Sequence, residues 1–453
     1  MRQPPAVAPR DASFRSMVSA TMPERDPVAG DAPHGSGSAG TPLRICYVFQ
    51  DEYPWDIRVE KFAVSLADAG HAVSILSRNR RAWPRRESLR AGIDVVRLPA
   101  GITAADRALM NVPAFFSPWW LSAIVRTVRA GQADVIIVRD LPLALTAVWA
   151  GRITGRPVVL DMAENYPAMI QATWDFYGPK PWDYLVRNPS WLRRLERHVL
   201  PKLDGILVVS EPSQRRVVDL VQGKVPVWVV GNTPRLDAAY ESRRSPLIDQ
   251  LANHPGLVLL YVGNMDAKRG LDMFVRALPS IKRTDPRALA VIIGKGVMEP
   301  KLRALARELN VEENLLLPGW VDQRDVPSLI AEADIGMIPH LLTEHTDTTI
   351  PNKIFDYMAQ GKPLVVTQCA TLKQIVEECG CGRVYADRDP EALAAAVATL
   401  ADPGVRAALG EAGRRAVHER YRWDQDARVL QAALGAVTSS HASAASPLRS
   451  TQA

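Results

Sequence analysis

The chain has 453 residues, of which 47% are hydrophobic and 23% are charged, and this composition excludes a wholly disordered protein. Its length suits about two or three folded domains. The net charge of +6 fits an anionic small ligand or an anionic membrane surface, and it is too small to indicate nucleic-acid binding. Four cysteines are too few for a disulfide framework, so we expect reduced thiols in a cytosolic protein.

The two ends of the chain differ in composition from its middle. Residues 1–41 and 438–453 are rich in small and polar residues without apolar periodicity, and we predict that both are disordered tails. No apolar stretch of signal-peptide length precedes Leu43. The most apolar window, 115–125, is shorter than the roughly 20 residues of a membrane-spanning helix, and we expect no such helix.

Between the tails, apolar runs typical of buried parallel strands alternate with segments of helical spacing. The first series of strands is predicted at 45–50, 72–76, 93–98, 134–139, 157–162, 205–210 and 225–230. The second is predicted at 257–263, 288–294, 314–319, 334–340 and 363–368, with helices at about 270–281, 299–309, 325–333, 351–360 and 390–435.

This alternation predicts an α/β protein with two domains. We place an N-terminal Rossmann-like domain at 42–235, a polar, proline-punctuated linker at 236–256 and a C-terminal Rossmann-like domain at 257–437. Two parallel sheets then face a central cleft, and ligands bind in such folds at the carboxyl ends of the strands. The last helix is expected to pack back on the N-terminal domain.

A glycine turn follows the first strand of the C-terminal domain. The segment YVGNMDAKRGLD (261–272) places Lys268 and Arg269 at a helix N-terminus, where amide groups and a guanidinium make an anion site, most plausibly for a diphosphate. A capped, solvated helix start is an equal alternative. The GKG at 294–296 follows the next strand and is by itself a tight turn rather than a dinucleotide fingerprint.

The strongest local signal is TDTTIPNKIFDYMAQGKP (346–363), in which Pro351 suits the first position of a helix. At 100° per residue, Asn352, Lys353 and Asp356 share one polar arc, and the apolar residues lie opposite. A carboxylate on this arc can accept two hydrogen bonds from a ribose diol. The alternative is an ordinary solvated face.

Polar side chains also follow the strands of the N-terminal domain. Asp161, Glu164, Asn165 and Tyr166 lie in DMAENYP, after one predicted strand. Arg139 and Asp140 end another, although Asp140 could simply cap the next helix. The segment after the first strand adds Asp51, Glu52, Asp56 and Arg58.

A metal site is not expected. The two D-x-D pairs, Asp387/Asp389 and Asp424/Asp426, do not follow a strand at the predicted cleft, and we interpret both as surface features.

Taken together, these segments resemble family 4 of the retaining glycosyltransferases, which have the GT-B fold. The similarity runs from about Leu43 to Leu434 through DIRVEKFAVSLADAGHAVSIL (56–76), DLPLALTA (140–147), DMAENYP (161–167), DGILVVS (204–210), YVGNMDAKRGLD (261–272), PGWVDQRDVPSLIAEADIGMIP (318–339) and PNKIFDYMAQGKPLVV (351–366). The resemblance implies transfer of a sugar from a nucleotide-sugar with retention of the anomeric configuration. It implies no cofactor and no metal, because protein cations and helix ends hold the diphosphate.

The resemblance also implies roles for individual residues. Arg269 matches the basic residue that contacts the diphosphate, and Asp356 matches the last acid of the paired-glutamate motif, which binds the ribose. The expected donor-binding residues are Gly263, Asn264, Lys268, Arg269, Gly294, Thr348, Thr349, Asn352, Lys353 and Asp356. The expected acceptor-side residues are Asp56, Arg58, Asp161, Asn165 and Tyr166, and the candidate catalytic residues are Arg269, Arg139 and Glu164.

Three positions depart from the family pattern. Asn264 stands where a second basic residue is common, and Thr348 stands where the first glutamate of the motif lies. Arg139 stands where some relatives have a catalytic histidine, and a guanidinium cannot act as a base near pH 7. That role is therefore absent or replaced, and the departing phosphate can take the acceptor proton instead.

Two segments of the N-terminal domain indicate a membrane surface. Residues 77–90 contain six arginines and Trp83, and residues 111–129 are aromatic and apolar with basic residues after them. Such a combination is typical of a surface lying on an anionic bilayer, and a core helix beside a solvated loop is the alternative.

The sequence thus predicts a cytoplasmic glycosyltransferase, of hexosyltransferase type, peripheral at the inner face of the cell membrane. Its expected partners are a nucleotide-diphosphate sugar, a glycan or lipid-linked acceptor in surface polysaccharide or glycolipid synthesis, and an anionic membrane, without nucleic acid. Two alternatives remain open. One is a GT-B epimerase acting on the nucleotide-sugar, and the other is an inactive partner subunit that keeps the fold.

Overall fold

A computed structural model describes residues 41–54, 56–100, 116–236 and 243–445. The predicted N-terminal tail, apart from Thr41, therefore lies outside the described residues. The first half of the chain builds an eight-stranded sheet in the order β3-β4-β2-β1-β5-β6-β7-β8. Its strands are β1 Arg44–Glu52, β2 Ala72–Arg78, β3 Arg86–Arg90, β4 Ile93–Arg97, β5 Val135–Arg139, β6 Val158–Met162, β7 Gly205–Val208 and β8 Val227–Val229.

All neighbouring strands of this sheet are parallel except β3, which pairs antiparallel with β4. The sequence analysis misses β3 because its sequence, RESLR, has neither an apolar run nor a β-branched residue. An edge strand with one solvated face needs less apolar character than a central one, and its charges discourage pairing with another chain. The arginine-rich segment 77–90 is therefore partly strand.

Seven helices accompany this sheet among the described residues. They are α1 Ile57–Asp68, α2 Pro118–Gly131, α3 Ala144–Thr154, α4 Tyr166–Tyr177, α5 Asp183–Val186, α6 Pro189–Val199 and α7 Glu211–Val221. Helices α2, α3, α4 and α6 bury their apolar sides against one face of the sheet, through Ile124, Ala147, Ile170 and Leu192. Helix α1 covers the other face with Val59 and Phe62.

The second half of the chain builds a six-stranded, all-parallel sheet in the order β11-β10-β9-β12-β13-β14. Its strands are β9 Val258–Val262, β10 Leu289–Ile293, β11 Leu315–Gly319, β12 Ile335–Ile338, β13 Leu364–Thr367 and β14 Gly382–Tyr385. The sequence analysis misses β14, which is short and contains Arg383. The helices are α8 Pro246–Ala252, α9 Leu271–Thr284, α10 Glu299–Glu308, α11 Val326–Ala331, α12 Lys353–Ala359, α13 Ala370–Cys379, α14 Pro390–Ala398, α15 Pro403–Glu419 and α16 Trp423–Ala445.

Two boundary predictions need correction. The predicted linker 236–256 contains α8, whose Ile248 and Leu251 are buried in the core beside β9, so this part of the segment belongs to the C-terminal sheet. The predicted tail 438–453 is helical through Ala445, because Val437 still packs in the core of the N-terminal sheet and the helix continues past it. Residues 446–453 lie outside the described part of the chain.

Helix α16 returns to the N-terminal sheet. Its Leu430 and Leu434 pack beside α1, on the face of the sheet opposite α2. The carboxylate of Asp426 accepts hydrogen bonds from the backbone N–H of Gly231 (2.8 Å) and the hydroxyl of Thr233 (2.5 Å). The two passages of the chain between the domains are thereby held together.

No single helix of the described residues has the length and apolar character needed to cross a membrane. One pair of successive segments, Pro390–Ala398 and Pro403–Ser443, meets the length and composition test together, and it is bent by 100° at the break.

A close backbone contact joins α15 to the turn after α12. A Cβ atom added at Gly410 would lie 1.9 Å from the carbonyl oxygen of Gly361, whereas one added at Gly435 in α16 would meet nothing within 4 Å. Both glycines lie inside helices, so their backbone conformations are alike. The main difference between them is the space around an added Cβ atom.

We expect Gly410→Ala to destabilise the protein by about 1–3 kcal/mol, because the helix must move away from the Gly361 carbonyl. Gly435→Ala is the matched control and should stabilise it by up to about 1 kcal/mol through helix propensity. Urea unfolding of both variants measures these changes. Equal effects of the same sign would contradict the tight contact at Gly410.

Candidate functional site

A buried network of charges occupies the carboxyl edge of the N-terminal sheet. The carboxylate of Asp161, at the end of β6, accepts hydrogen bonds from Tyr47 (2.6 Å), from Nε and Nη2 of Arg58 (2.9 and 2.8 Å) and from Arg139 (3.0 Å). Burial opposes ionisation of Asp161, but the two guanidinium groups outweigh it and hold its pKa below the ordinary value. The network fixes the loops that follow β1, β5 and β6.

This network changes the interpretation of several predicted site residues. Arg58 and Asp161 are 1% and 0% exposed and are paired with each other, so they position the loops rather than contact an acceptor. Asp56 caps α1 by accepting from the backbone N–H groups of Arg58 and Val59, and its other oxygen contacts Arg139 at 3.3 Å. These predicted acceptor contacts are corrected to structural roles.

The side chain of Arg139 is likewise held by hydrogen bonds within the protein. Its Nε, Nη1 and Nη2 atoms donate to Asp140 (3.1 Å), Asp161 (3.0 Å) and Asp56 (3.3 Å). All three nitrogens of this guanidinium are paired with carboxylates, and Arg139 is only 8% exposed. We therefore correct its candidate catalytic assignment to one of positioning.

Asp140 has a role that the sequence analysis did not anticipate. Its backbone has φ +59° and ψ 169°, an uncommon conformation for a residue with a side chain, and the carboxylate makes no cap on the short helix that follows. It accepts instead from the N–H of Ala163 (3.1 Å), which joins the loop after β5 to the loop after β6. Burial raises the pKa of Asp140.

Glu164 lies next in that loop and faces the C-terminal domain. Its Oε2 is 3.3 Å from Nε2 of His345. Burial, reinforced by the negative charge of Asp140, raises the pKa of Glu164 to about 7, although Arg269 and Lys268 oppose the shift. Burial and the same two cations lower the pKa of His345 to about 3. The imidazole is therefore neutral, and the carboxyl group of Glu164 titrates near neutrality.

Three cations meet at the carboxyl edge of the C-terminal sheet. Lys268 and Arg269 lie in a short helical turn after β9, where the side chain of Asp266 caps the turn by accepting from the N–H of Lys268. Lys353 begins α12, and its Nζ lies 3.7 Å from the centroid of the Tyr261 ring. The predicted anion site and the predicted polar arc of α12 are thus brought together.

Glycines make room for Lys353. A Cβ atom on Gly263, whose φ is +145°, would lie 2.7 Å from Nζ of Lys353. A Cβ on Gly294, whose φ is +136°, would lie 2.0 Å from the carbonyl oxygen of Gly263. The two predicted glycines therefore let adjacent loops approach each other and leave the ammonium group beside bare backbone.

The three cations lack anionic partners. Among the described residues, none of Lys268, Arg269 and Lys353 forms an ion pair within 4.0 Å. Nη1 of Arg269 instead contacts the ring of His340, 3.3 Å from both nitrogens. Burial, with Arg269 next in importance, lowers the pKa of both His340 and Lys353 well below their ordinary values. An anion in this site would relieve that repulsion.

Asp356 lies one turn of α12 beyond Lys353. Burial raises its pKa to about 6, opposed by Lys61 and Lys353, and its side chain has no hydrogen-bond partner among the described residues. Lys61 comes from the N-terminal domain, where its Nζ donates to the carbonyl oxygens of Asn232 (3.2 Å) and Thr233 (2.9 Å). The carboxylate of Asp356 is thus available to a ligand.

The loop from Leu341 to Thr349 crosses the cleft toward the N-terminal domain. Besides the contact between His345 and Glu164, the carboxylate of Glu344 accepts from Arg193 (3.0 Å) and from Asn165 (3.5 Å). The carbonyl oxygen of Thr348 accepts from the hydroxyl of Ser210 (2.7 Å). Sequence reasoning did not identify Glu344, His345 or His340, because no local spacing marks loop residues that meet another domain.

The remaining predicted residues have partners within the protein. The hydroxyls of Thr348 and Thr349 donate to backbone carbonyls of the same loop, and the side-chain oxygen of Asn352 accepts from Asn232 (2.7 Å). These three contacts show how the side chains are held, and their donor-binding roles stay predictions. Asn264 is exposed in the loop after β9. The side chain of Asn165 caps α4, and burial raises the pKa of Tyr166 although the nearby Arg187 opposes the shift.

The two D-x-D pairs have structural roles. Asp389 caps α14, Asp387 accepts from the N–H of Leu342, and Asp426 holds Gly231 as described above. Interpreting both pairs as surface features is therefore wrong for Asp426. In the described part of the chain, no group of three or more His, Cys, Asp or Glu side chains has the arrangement of a metal site.

Comparison with known protein families assigns both halves of the chain. Residues 56–233 match the model of the glycosyl transferase 4-like domain, and residues 256–402 match that of glycosyl transferases group 1. An alpha-D-kanosaminyltransferase from Streptomyces kanamyceticus is 24% identical over 242 residues, which is 50% of this chain and 61% of that protein. The match thus spans less than two thirds of that relative.

Solved structures share the fold. The sucrose-phosphate synthase of Thermosynechococcus elongatus superposes with a TM-score of 0.67 at 17% identity, over 86% of this chain and 97% of that one. Anabaena HepE in complex with UDP superposes with a TM-score of 0.64 at 14% identity, over 87% and 100%. These similarities confirm the predicted fold of two Rossmann-like domains.

Glu164 should make the stability of the protein depend on pH. Its pKa is raised in the folded state, so the stabilisation that comes from its protonated form is lost as the pH rises from about 4.5 through about 7. Glu164→Gln keeps a neutral side chain and should therefore gain melting temperature relative to the unsubstituted protein over this range. Thermal unfolding of both proteins at half-unit pH intervals tests this, and a difference that does not change with pH would contradict it.

Proposed function

The chain belongs to the glycosyltransferases that combine a glycosyl transferase 4-like domain with a group 1 domain, and we propose that it transfers a sugar from a nucleotide-diphosphate sugar to a glycan or lipid-linked acceptor. The observation that carries this proposal is the group of three cations, Lys268, Arg269 and Lys353, which lie at the carboxyl edge of the C-terminal sheet and form no ion pair with a carboxylate of the described residues. Such an edge is where ligands bind in open α/β folds, and a diphosphate supplies the missing negative charge.

The donor would lie across the C-terminal sheet. Its diphosphate contacts Arg269 and Lys353 beside Gly263, and its ribose hydroxyls donate to Asp356. The identification of the donor as a nucleotide-sugar draws support from HepE, whose structure was solved with UDP. The carboxylate of Asp356, which has no hydrogen-bond partner in the part of the chain that the structure describes, supports the ribose contact independently of that relative.

The proposed reaction retains the anomeric configuration. Negative charge grows on the leaving diphosphate in the transition state, and Arg269 and Lys353 stabilise it in a partly dry cleft. The departing phosphate takes the acceptor proton, because Arg139 is bound to three carboxylates and cannot serve as a base. Glu164 stands beside Arg269 and Lys268 with a pKa near neutrality, which suits a group that orients the acceptor hydroxyl.

The positive charge in the site also supports a reaction without a metal. Two guanidinium or ammonium groups on the diphosphate perform the charge neutralisation that a divalent cation performs elsewhere. No cofactor is required, since the nucleotide-sugar is itself a substrate.

The acceptor is proposed to belong to surface polysaccharide or glycolipid synthesis, at the cytoplasmic face of an anionic membrane. A GT-B epimerase and an inactive partner subunit are the competing proposals. Incubation with donor in the absence of acceptor separates the first, because an epimerase changes the nucleotide-sugar without releasing nucleoside diphosphate. Donor hydrolysis by the purified protein would exclude an inactive subunit.

Arg269→Ala should lower kcat/KM by about 10²–10³, because a charge-assisted contact to a developing charge is lost. Arg276→Ala is the matched control, since Arg276 is exposed on α9, which follows the same loop. Transfer kinetics with thermal melts of both variants measure the effect. If Arg269→Ala stays within about threefold of the unsubstituted enzyme while folded, the diphosphate assignment is wrong.

Transfer activity should persist in excess EDTA, because Lys268, Arg269 and Lys353 supply the positive charge at the diphosphate. The assay compares initial rates before and after chelation and after addition of Mg²⁺ or Mn²⁺. Loss of activity in EDTA that either ion restores would show that the diphosphate needs a metal.

A further inference from the structure

Large apolar side chains are exposed on one layer of the N-terminal domain. Helices α2 to α6 lie on one side of the first sheet, with α3 packed on α2 and on α6, and α4 packed on α6. Of the twelve exposed large hydrophobic residues in the described chain, eight belong to this layer: Trp119, Trp149, Ile153, Tyr177, Trp182, Tyr184, Leu185 and Trp191. We call these eight residues the aromatic face. Their concentration on one layer distinguishes them from scattered surface residues.

The most prominent part of the aromatic face is the turn between α4 and α6. Trp182 is 75% exposed, Leu185 is 74% exposed and Trp191 is 60% exposed. Trp182 and Leu185 are three residues apart around α5, so their side chains emerge on the same side of that short helix. The ring of Tyr184 packs on Trp174 of α4, with centroids 5.2 Å apart, which ties the turn to the folded domain.

Basic residues surround these side chains. The exposed ones on the same layer are Arg126, Arg129, Arg152, Lys180, Arg187, Arg194 and Arg197, whereas Asp175 is the exposed acid of its helices. The guanidinium of Arg152 lies 5.5 Å from the centroid of the Trp149 ring, so cation and aromatic ring occupy one place on the surface. Lys180 and Arg194 form no ion pair within the described chain. The most exposed side chains of this surface are therefore apolar, and the charged side chains of the same layer are mostly positive.

This combination matches an anionic bilayer. Tryptophan and tyrosine favour the boundary between lipid headgroups and acyl chains, and basic residues beside them are attracted to anionic headgroups. A protein partner of complementary shape would not require seven exposed cations and a single exposed acid on the layer that carries these rings. Charge complementarity therefore favours the membrane as the occupant.

The surface differs from the one predicted from sequence. Of the two tryptophans in the segment 111–129, Trp119 is 53% exposed, whereas Trp120 is 1% exposed and belongs to the core. Residues 111–115 lie outside the described chain. In the arginine-rich segment 77–90, Arg80 and Arg90 pair with Asp51 and Asp68, and part of the segment is the edge strand β3.

We propose that the aromatic face docks onto an anionic phospholipid bilayer, with Trp182, Leu185 and Trp191 entering the headgroup region. The face borders the cleft. The hydroxyl of Tyr177 accepts from the N–H of Ala267 beside Lys268 (2.9 Å), and Arg193 of α6 contacts Glu344. An acceptor held in the bilayer would thus enter the cleft along α4. The membrane itself is part of the proposed function, and this inference names the surface that binds it.

The test uses the purified full chain with vesicles of phosphatidylglycerol and phosphatidylcholine, compared with phosphatidylcholine alone, in a co-sedimentation assay. The double substitution Trp182→Ser with Leu185→Ser should weaken binding to the anionic vesicles by about tenfold or more, because two apolar side chains that enter the bilayer are lost. Trp320→Ser is the matched control, as Trp320 is 71% exposed after β11 on the other domain, and it should change binding less than about twofold.

Charge is tested separately. Arg194→Glu should weaken binding by about fivefold or more, since each basic residue contributes on the order of 1 kcal/mol near an anionic surface. Arg307→Glu makes the same change on the exposed side of α10 and should have little effect. Binding of the unsubstituted protein should fall in high salt.

Three outcomes would overturn the proposal: no binding of the unsubstituted protein to anionic vesicles at physiological salt, binding that the double variant leaves unchanged, or a double variant that instead converts an oligomer into a monomer. Thermal protection by UDP-, GDP- or ADP-sugars is measured in parallel without vesicles and tests donor binding alone. The double variant should keep that protection. If the protein binds vesicles but no nucleotide-sugar protects it against thermal unfolding, the proposed function is contradicted and the proposed membrane-binding surface is not.

Discussion

The carboxylate of Asp161 is the buried charge on which the cleft side of the N-terminal domain depends. It lies in the sheet with two guanidinium groups and one phenol around it, and these partners come from three different elements, α1, β5 and β1. Arg58 extends the network to the carbonyl oxygen of Gly231 (2.7 Å), at the passage into the second domain. Removing one member would leave an unpaired buried charge, which typically costs about 3–5 kcal/mol.

From that network the position of Glu164 follows. Arg139 fixes Asp140, Asp140 accepts from the N–H of Ala163, and Glu164 is the next residue. The network therefore brings a carboxyl group to the edge of a region that is otherwise positively charged. On the opposite side of the cleft the arrangement is reversed, because Lys268, Arg269 and Lys353 form no ion pair within the part of the chain that the structure describes. The N-terminal domain pairs its charges at the cleft with each other, and the C-terminal domain leaves three cations available to a ligand.

The sequence predicts the two sheets well because parallel strands buried on both faces must be continuous apolar runs, as in ICYVFQ and AVIIG. It misses β3 and β14 because strands at a sheet edge tolerate charge. In the site, Lys353 and Asp356 are found from helical spacing alone. The pairing of Arg58 with Asp161 joins residues 103 positions apart, and no local pattern reveals it. Arg58, Arg139 and Asp161 consequently look like ligand-binding residues in sequence and are structural in the fold.

The stretch Gly231 to Thr233 is held from four directions. Arg58 binds the carbonyl of Gly231, Asp426 binds its N–H, Lys61 binds the next two carbonyls, and Asn352 of the C-terminal domain binds the side chain of Asn232. The returning passage joins it directly, because the N–H of Trp423 donates to the carbonyl of Pro234 (3.1 Å). Both passages of the chain between the domains are thus held by contacts at the same place. A rotation of one domain against the other would pivot about these residues, and contacts between the domains elsewhere, such as that of Tyr177 with Ala267, would have to break or slide.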